Sequence, residues 1–359
     1  MRREWAWLAP LAAMIVALYL AASVAVRAAG IAPPSFLVQY FVNTLLLPVF
    51  VVSLSALVLA LRMLLVLRKG GSLVNGYIRL DLPDVVSRLA PLVLMPVMLA
   101  AYATLKMLIP VLHGFTADGA LHDLDRILFL GTDPWRLTHA LFGNAAATMA
   151  IDRLYTMWVP LLGLAMTYFA LAAGRRERAR FFLTFAAVWI GLGTVGAYIG
   201  ASAGPCFLAQ LNHPAAPAYA ELMERLAAIR NAAGAPLMAY NWQQVLWAAH
   251  RSNDIGFGMG ISAMPSIHLA VATLYVLAAR RHGRVATAIA ALFGATMLVG
   301  SVHLGWHYAA DGLFSILATS ALWWIAGRYL DWAGVGDAVA SGAAHGEAET
   351  LPPAGAAIA

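Results

Sequence analysis

Two short polar clusters interrupt a chain that is otherwise strongly apolar. One, at the head of the run SAMPSIHLAVATLYVLAARR, holds Ser262, Pro265, Ser266 and His268. The other is SVHLGWHYAADG, with Ser301, His303, His307 and Asp311. A carboxylate four residues from a histidine can share a helical face with it, accept from one imidazole nitrogen and leave the other as a nucleophile. A second histidine facing the first, here His268, can protonate a departing oxygen, so the two imidazoles divide the roles of nucleophile and general acid. Pro265 suits a first helical turn, where free amides and the positive end of the helix dipole favour an anion. Ser266 can cap that helix or contact the anion.

The elements that must bring these clusters together are membrane helices. Of the 359 residues, 62% are hydrophobic and 11% charged, whereas a soluble domain carries about 25% charged residues. Continuous apolar runs of this kind would leave backbone groups unpaired in lipid as a sheet, so the expected fold class is all-α, a polytopic membrane protein. Runs near 5–26, 36–61, 89–112, 154–173, 181–200, 264–279, 285–304 and 308–326 predict about eight transmembrane helices. The first is longer than the apolar core of a secretory signal, which favours an uncleaved span.

Placing the N-terminus in the cytoplasm puts Arg2, Arg3, the 62–88 loop, GRRERAR at 174–180, RRHGR at 280–284 and Arg328 inside. That side then holds 15 of the 23 basic residues. The net charge of +6 is thus a topology signal and gives no reason to expect a nucleic-acid partner. The sixth and seventh helices form an up-down hairpin, so the starts of the sixth and eighth share the outer face. Topology alone therefore juxtaposes the two polar clusters. The outer connections at 106–153 and 201–263 show apolar residues at helical spacing between charges and predict short interfacial helices that can shape a lipid entrance. The tail after Trp332, with Asp337, Glu347 and Glu349, lacks a face to bury and is expected to be disordered. The lone Cys206 permits no internal disulfide.

Two other readings of the clusters compete. His303, His307 and Asp311 at i, i+4 and i+8, with His268 as a fourth ligand, could hold zinc. That assignment leaves Ser266 and the anion-friendly helix start without a task, so neither a metal nor another cofactor is expected. A transporter would need polar residues in mid-span on several helices, and few occur; Pro160 and the glycines of the fifth helix read as bends.

PSIH at 265–268 together with S-x5-H-x3-D at 301–311 resembles the type-2 phosphatidic acid phosphatase superfamily, and within it the branch of inositol phosphorylceramide synthases, to which AMPSIH and HYAAD are similar. The resemblance covers roughly 120–326. It implies a six-helix catalytic core and divides the chain into N-terminal transmembrane helices at 1–113, a catalytic membrane core at 114–326 and a tail at 327–359. It further implies that His307 attacks phosphorus to form a phosphohistidine, that Asp311 orients it, and that His268 protonates the leaving alcohol. Ser266 and adjacent amides, that of Ile267 among them, would hold phosphoryl oxygens, with Ser301 beside them and no metal needed.

The departures from the pattern bear on the reaction. The superfamily's phosphatases carry Lys and Arg-Pro in a first motif and an Arg after the third-motif Ser. Here the corresponding residues are GASAGPCF at 200–207 and Val302. The phosphate-clamping cation must come from elsewhere, with Arg251 the first candidate and Arg136, His303 and Lys106 behind it. The implied activity is a lipid phosphotransferase, moving an inositol-phosphate-like headgroup from a phospholipid donor to a lipid alcohol such as ceramide or diacylglycerol. The alternative is a lipid phosphate phosphatase with water as acceptor. The implied location is a bacterial inner membrane, with the active site on the non-cytoplasmic side.

Overall fold

The computed structural model describes residues 2–30, 37–68, 82–232, 236–252 and 258–336, with backbone alone for 54–68 and Leu82. Residues 69–81 of the basic loop and the tail acids Asp337, Glu347 and Glu349 lie outside the described residues. Helices account for all the regular structure described: α1 Arg2–Ala28, α2 Leu37–Arg68, α3 Leu82–Leu112, α4 Asp118–Leu128, α5 Pro134–Phe142, α6 Ala145–Thr156 and α7 Trp158–Leu171. There follow α8 Arg175–Ala187, a π-helical stretch Val188–Gly196, α9 Ala197–Ile199, α10 Ala216–Ala232, α11 Met238–Ser252, α12 Ile267–Ala279, α13 Arg284–His303 and α14 Ala309–Trp332.

Among the described residues six helical segments are long and apolar enough to cross a membrane, the mark of an integral membrane protein: Glu4–Ala28, Pro83–Leu112, Ala145–Leu171, Arg175–Ile199, Arg284–His303 and Ala309–Trp332. Hydropathy predicts eight. The difference lies in α2, whose described apolar part is Leu37–Ser53, and in α12, which has 13 residues. At 1.5 Å per residue α12 is about 20 Å long, less than the hydrocarbon thickness. Its length is tolerable because protein surrounds it, with Leu269, Ala270, Val271, Ala272 and Leu274 all buried. Helices α8, α13 and α14 and the π-helical stretch pack around it.

Small residues permit that crowding. A Cβ on Gly312 would stand 2.6 Å from Leu269 Cδ2, so α12 and α14 touch where His268 and Asp311 lie next along the chain. On the π-helical stretch and just after it, Gly193, Gly196 and Gly200 face Ile267, Pro265 and Met264, with would-be Cβ contacts of 3.0, 3.0 and 2.8 Å. Widened turns of this kind are frequent at functional sites.

The two ends of the bundle are unlike. Where α8 begins and α14 ends, arginines and a histidine pair with acids. Arg178 reaches Asp84 at 3.1 Å, Arg88 reaches Asp84 at 2.7 Å, Arg176 reaches Asp331 at 2.6 Å, His282 meets Glu177 at 2.6 Å, and Arg175 contacts Glu4. The opposite end carries the short helices α4, α5, α10 and α11, and its surface keeps apolar side chains in the open, among them Ile127, Leu130 and Leu141 at 72%, 93% and 75% exposure.

Candidate active site

Three loops converge at the end of α12 that faces away from the arginines. The segment 200–204 runs beside 261–264: the Ser202 carbonyl accepts from Ala263 N at 2.9 Å, and its hydroxyl accepts from Met264 N at 2.9 Å. The loop 304–307 joins them through Cys206 N, which donates to the Gly305 carbonyl at 2.9 Å. At Gly204, φ is +97° and a Cβ would lie 2.5 Å from the Trp306 carbonyl, so only glycine fits between these strands of loop.

Helix α12 opens at Ser266, whose fully buried hydroxyl caps it by accepting from Leu269 N at 3.4 Å. Pro265, expected in the first turn, stands one residue before the cap, and the Met264–Pro265 peptide is cis. The amides of Ile267 and His268 precede any intrahelical acceptor. The His268 ring lies between Trp158, 4.3 Å away, and Tyr155, on which it stacks at 5.1 Å. Across the gap the His307 ring is centred 6.0 Å away at 62°.

His307 is not on α14, as the four-residue spacing implies, but just before its cap. Tyr308 is the N-cap, and Asp311 closes a capping box by accepting from Tyr308 N at 3.1 Å through Oδ2. The same oxygen receives His307 Nδ1 at 3.3 Å. An Nδ1–H donating to Asp311 leaves the Nε2 lone pair free. The Ser301 carbonyl steadies the loop by accepting from Trp306 N and His307 N, at 2.9 and 3.1 Å. The Ser301 hydroxyl is turned back to the Leu298 carbonyl at 2.9 Å.

His303, expected beside the phosphate, is committed elsewhere. It ends α13, the chain breaks at Leu304 and turns through Gly305 at φ +74°, and so His303, His307 and Asp311 do not share the helical face a zinc site requires. Its nitrogens meet Thr148 Oγ1 at 3.0 Å and Thr138 Oγ1 at 3.3 Å, and its ring stacks on His139 at 3.9 Å. Among the described residues no cluster of three or more His, Cys, Asp or Glu side chains is arranged to hold a metal. Arg136 is also spent, on Glu221 at 2.8 Å and Asp133 at 3.6 Å. Arg251 is exposed on the last turn of α11.

Sequence reasoning missed three aspartates that position the site. Asp118 accepts from Ala203 N and Gly204 N, both at 2.9 Å, and from the Tyr308 hydroxyl at 2.9 Å. Asp125 accepts from Ala309 N and Ala310 N, at 2.9 and 2.8 Å, and so holds the first turn of α14. Asp152 does the same for α11 through Met238 N and Ala239 N, at 2.7 and 2.8 Å. Burial pushes the Asp125 carboxyl up to about 6, with the Asp311 and Asp133 charges adding to the rise and the two amides opposing it. A signal was present: Asp118 and Asp125 are two helical turns apart on one face, in a chain with few acids.

This all-helical membrane scaffold, with a histidine pair and an orienting aspartate at one end, falls in a known class. The family model of the PAP2 superfamily matches residues 119–325, and the chain belongs to that superfamily. Its members are phosphatases and phosphotransferases, and the membership supports an enzyme acting on lipid phosphates. No curated protein and no solved structure matched the chain.

Proposed function

We propose that the protein is a lipid phosphotransferase working through a phosphohistidine on His307. The observation that carries this reading is the meeting of His307, oriented by Asp311, with His268 across a 6.0 Å gap beside the first amides of α12. His307 Nε2 attacks phosphorus of the donor phospholipid, the ester bond to the glycerol oxygen breaks, and His268 gives that oxygen its proton. The headgroup phosphate then sits on His307. In the second half, His268 takes the proton from the acceptor hydroxyl, whose oxygen displaces His307 and regenerates the free imidazole. The amides of Ile267 and His268, with the Ser266 cap, face the phosphoryl oxygens; in such reactions positioning and charge stabilisation do most of the catalysis. Tyr155 and Trp158, which flank His268, each keep a buried polar atom without a partner among the described residues, and a phosphate ester can satisfy both donors.

The acceptor is a lipid alcohol such as ceramide or diacylglycerol, and the donor headgroup is inositol-phosphate-like. The missing first-motif cations at 200–207 support this over the phosphatase reading. The site faces the non-cytoplasmic side, since the paired arginines occupy the other end of the bundle. The test is to incubate the purified chain with phosphatidylinositol and ceramide or diacylglycerol, then identify lipids by mass while measuring free phosphate and inositol phosphate. A new inositol-phosphate lipid and acid-labile label on His307 are expected. Water-released product alone would leave the phosphatase, and label on another residue would overturn the assignment.

A further inference from the structure

We infer that Lys106, on α3 and outside the residues matched by the family model, supplies the cation that binds the phosphoryl oxygens at the His268–His307 site. The inference rests on the reading of that site given above. A phosphate brought there meets buried carboxylates at Asp118, Asp125 and Asp311, and a buried anion without a counter-charge is costly. Residues 200–207 and Val302 provide no such charge.

Among the candidate cations, Arg136 is paired to two acids, His303 is held between two threonine hydroxyls, and Arg251 is exposed on α11. Lys106 differs from them. It lies inside the span Pro83–Leu112, and, as for Arg251, no carboxylate lies within ion-pair distance of it among the described residues. An ionisable group inside a membrane span is a functional candidate by default.

The register of α3 aims one face of that helix along the site. Tyr102 and Ile267 both close on Gly193, where a Cβ would lie 2.8 Å from one ring and 3.0 Å from the other side chain. One turn further on, Lys106 Cγ stands 3.4 Å from where a Cβ on Gly260 would be, at the head of the segment leading to Ser262 and Ser266. Gly260 is at φ +95°, so a side chain there would meet strain and both the Met107 side chain at 3.1 Å and the lysine stem. Past Lys106, Ile109 packs on Ala197 and Ala201. The Tyr198 hydroxyl fixes the register by donating to the Leu105 carbonyl at 2.8 Å. Lys106 thus lies between the levels of Ile267 and Ala201. An ammonium with three donors there can follow charge as it spreads over the equatorial oxygens, forming no bond and passing no proton.

Orthovanadate, which mimics the five-coordinate phosphorus, tests this without needing the natural substrate. Its affinity would be measured by titration calorimetry on the full chain in lipid nanodiscs, beside turnover of phosphatidic acid and of phosphatidylinositol with ceramide. Lys106→Met is expected to weaken vanadate binding and lower kcat/KM by about 10- to 100-fold, the scale of a lost hydrogen bond to a charged group. Lys106→Arg should recover most of both, which a merely structural stem would not explain. Should the Met variant fail to fold, Lys106→Gln carries the same comparison. Wild-type vanadate affinity in Lys106→Met, no recovery in Lys106→Arg, or a loss seen only in Arg251→Ala would each overturn the inference. A His307→Ala variant with undiminished turnover would instead sink the reading of the site itself. An inactive His307→Ala whose vanadate binding still depends on Lys106 would support both.

Discussion

The two ends of the helical bundle hold their acids differently, although at both some pair with arginines, as Asp133 and Glu221 do with Arg136 at the end of the short helices. At the arginine-rich end, Glu4, Asp84 and Asp331 pair with arginines and Glu177 with His282, all from elsewhere in the chain. At the other end Asp118, Asp125, Asp152 and Asp311 accept from backbone amides. A side-chain pair ties two flexible stems and tolerates some slack, and where exposed it contributes little. A carboxylate gripping two consecutive amides fixes the path of the main chain. The end that holds His307 and the 200–204 segment uses the second device.

The sharpest break of this contrast removes the chemistry while leaving the clamps. His307→Ala should lower turnover by about a thousandfold or more with helical content and membrane insertion unchanged, read by lipid product formation and circular dichroism. Removing a clamp should cost both stability and rate. Asp118→Ala leaves two amides and the Tyr308 hydroxyl without their acceptor, and each buried donor left unpaired costs about 1–3 kcal/mol. A loss of several kcal/mol in denaturation and a severe loss of activity are expected; full activity would refute a positioning role.

Asp125 sharpens the comparison through pH. With its carboxyl raised to about 6 from an ordinary 3.8, the folded chain holds the proton more tightly than the unfolded chain between those values. This group therefore makes stability fall as pH rises from about 4 to 6, with no further change above. The grip on Ala309 and Ala310 needs the ionised form, so activity should rise through the same window. Asp125→Asn should flatten both profiles, in melting curves and in kcat/KM against pH. Gly312→Ala, which drives a methyl into Leu269, should cost about 1–3 kcal/mol and several-fold in rate by parting His268 from His307. At the arginine end, Arg176→Ala breaks a pair with the half-exposed Asp331 and a hydrogen bond to the Val335 carbonyl and should change stability by about 1–2 kcal/mol, with turnover intact.

The meeting of His268, His307 and Asp311 was legible because counting apolar runs assigns each cluster a side, and only one side was common to both. What resisted reading were partners with no side chain to recognise. Asp118 and Asp125 bind amides 85 and 184 residues distant, and an amide looks alike at every position. His303 was misplaced for a related reason: the break at 304–308 hangs on Gly305 and on a cap made by Tyr308, and neither disturbs the apolar pattern. Lys106 was visible as a charge in an apolar run, but its neighbour Gly260 lies 154 residues away, beyond eight further α-helices.

The uncovered leucines and isoleucine beside the clamps have a practical meaning. Ile127 follows Asp125 by two residues and Leu141 follows His139 by two, so whatever solvates those side chains is coupled to the shape of the site. Immersing each in acyl chains is worth about 1.5–3 kcal/mol. A bilayer and a detergent micelle will press on this rim differently, and turnover compared across amphiphiles will report on the surroundings as much as on the catalytic groups.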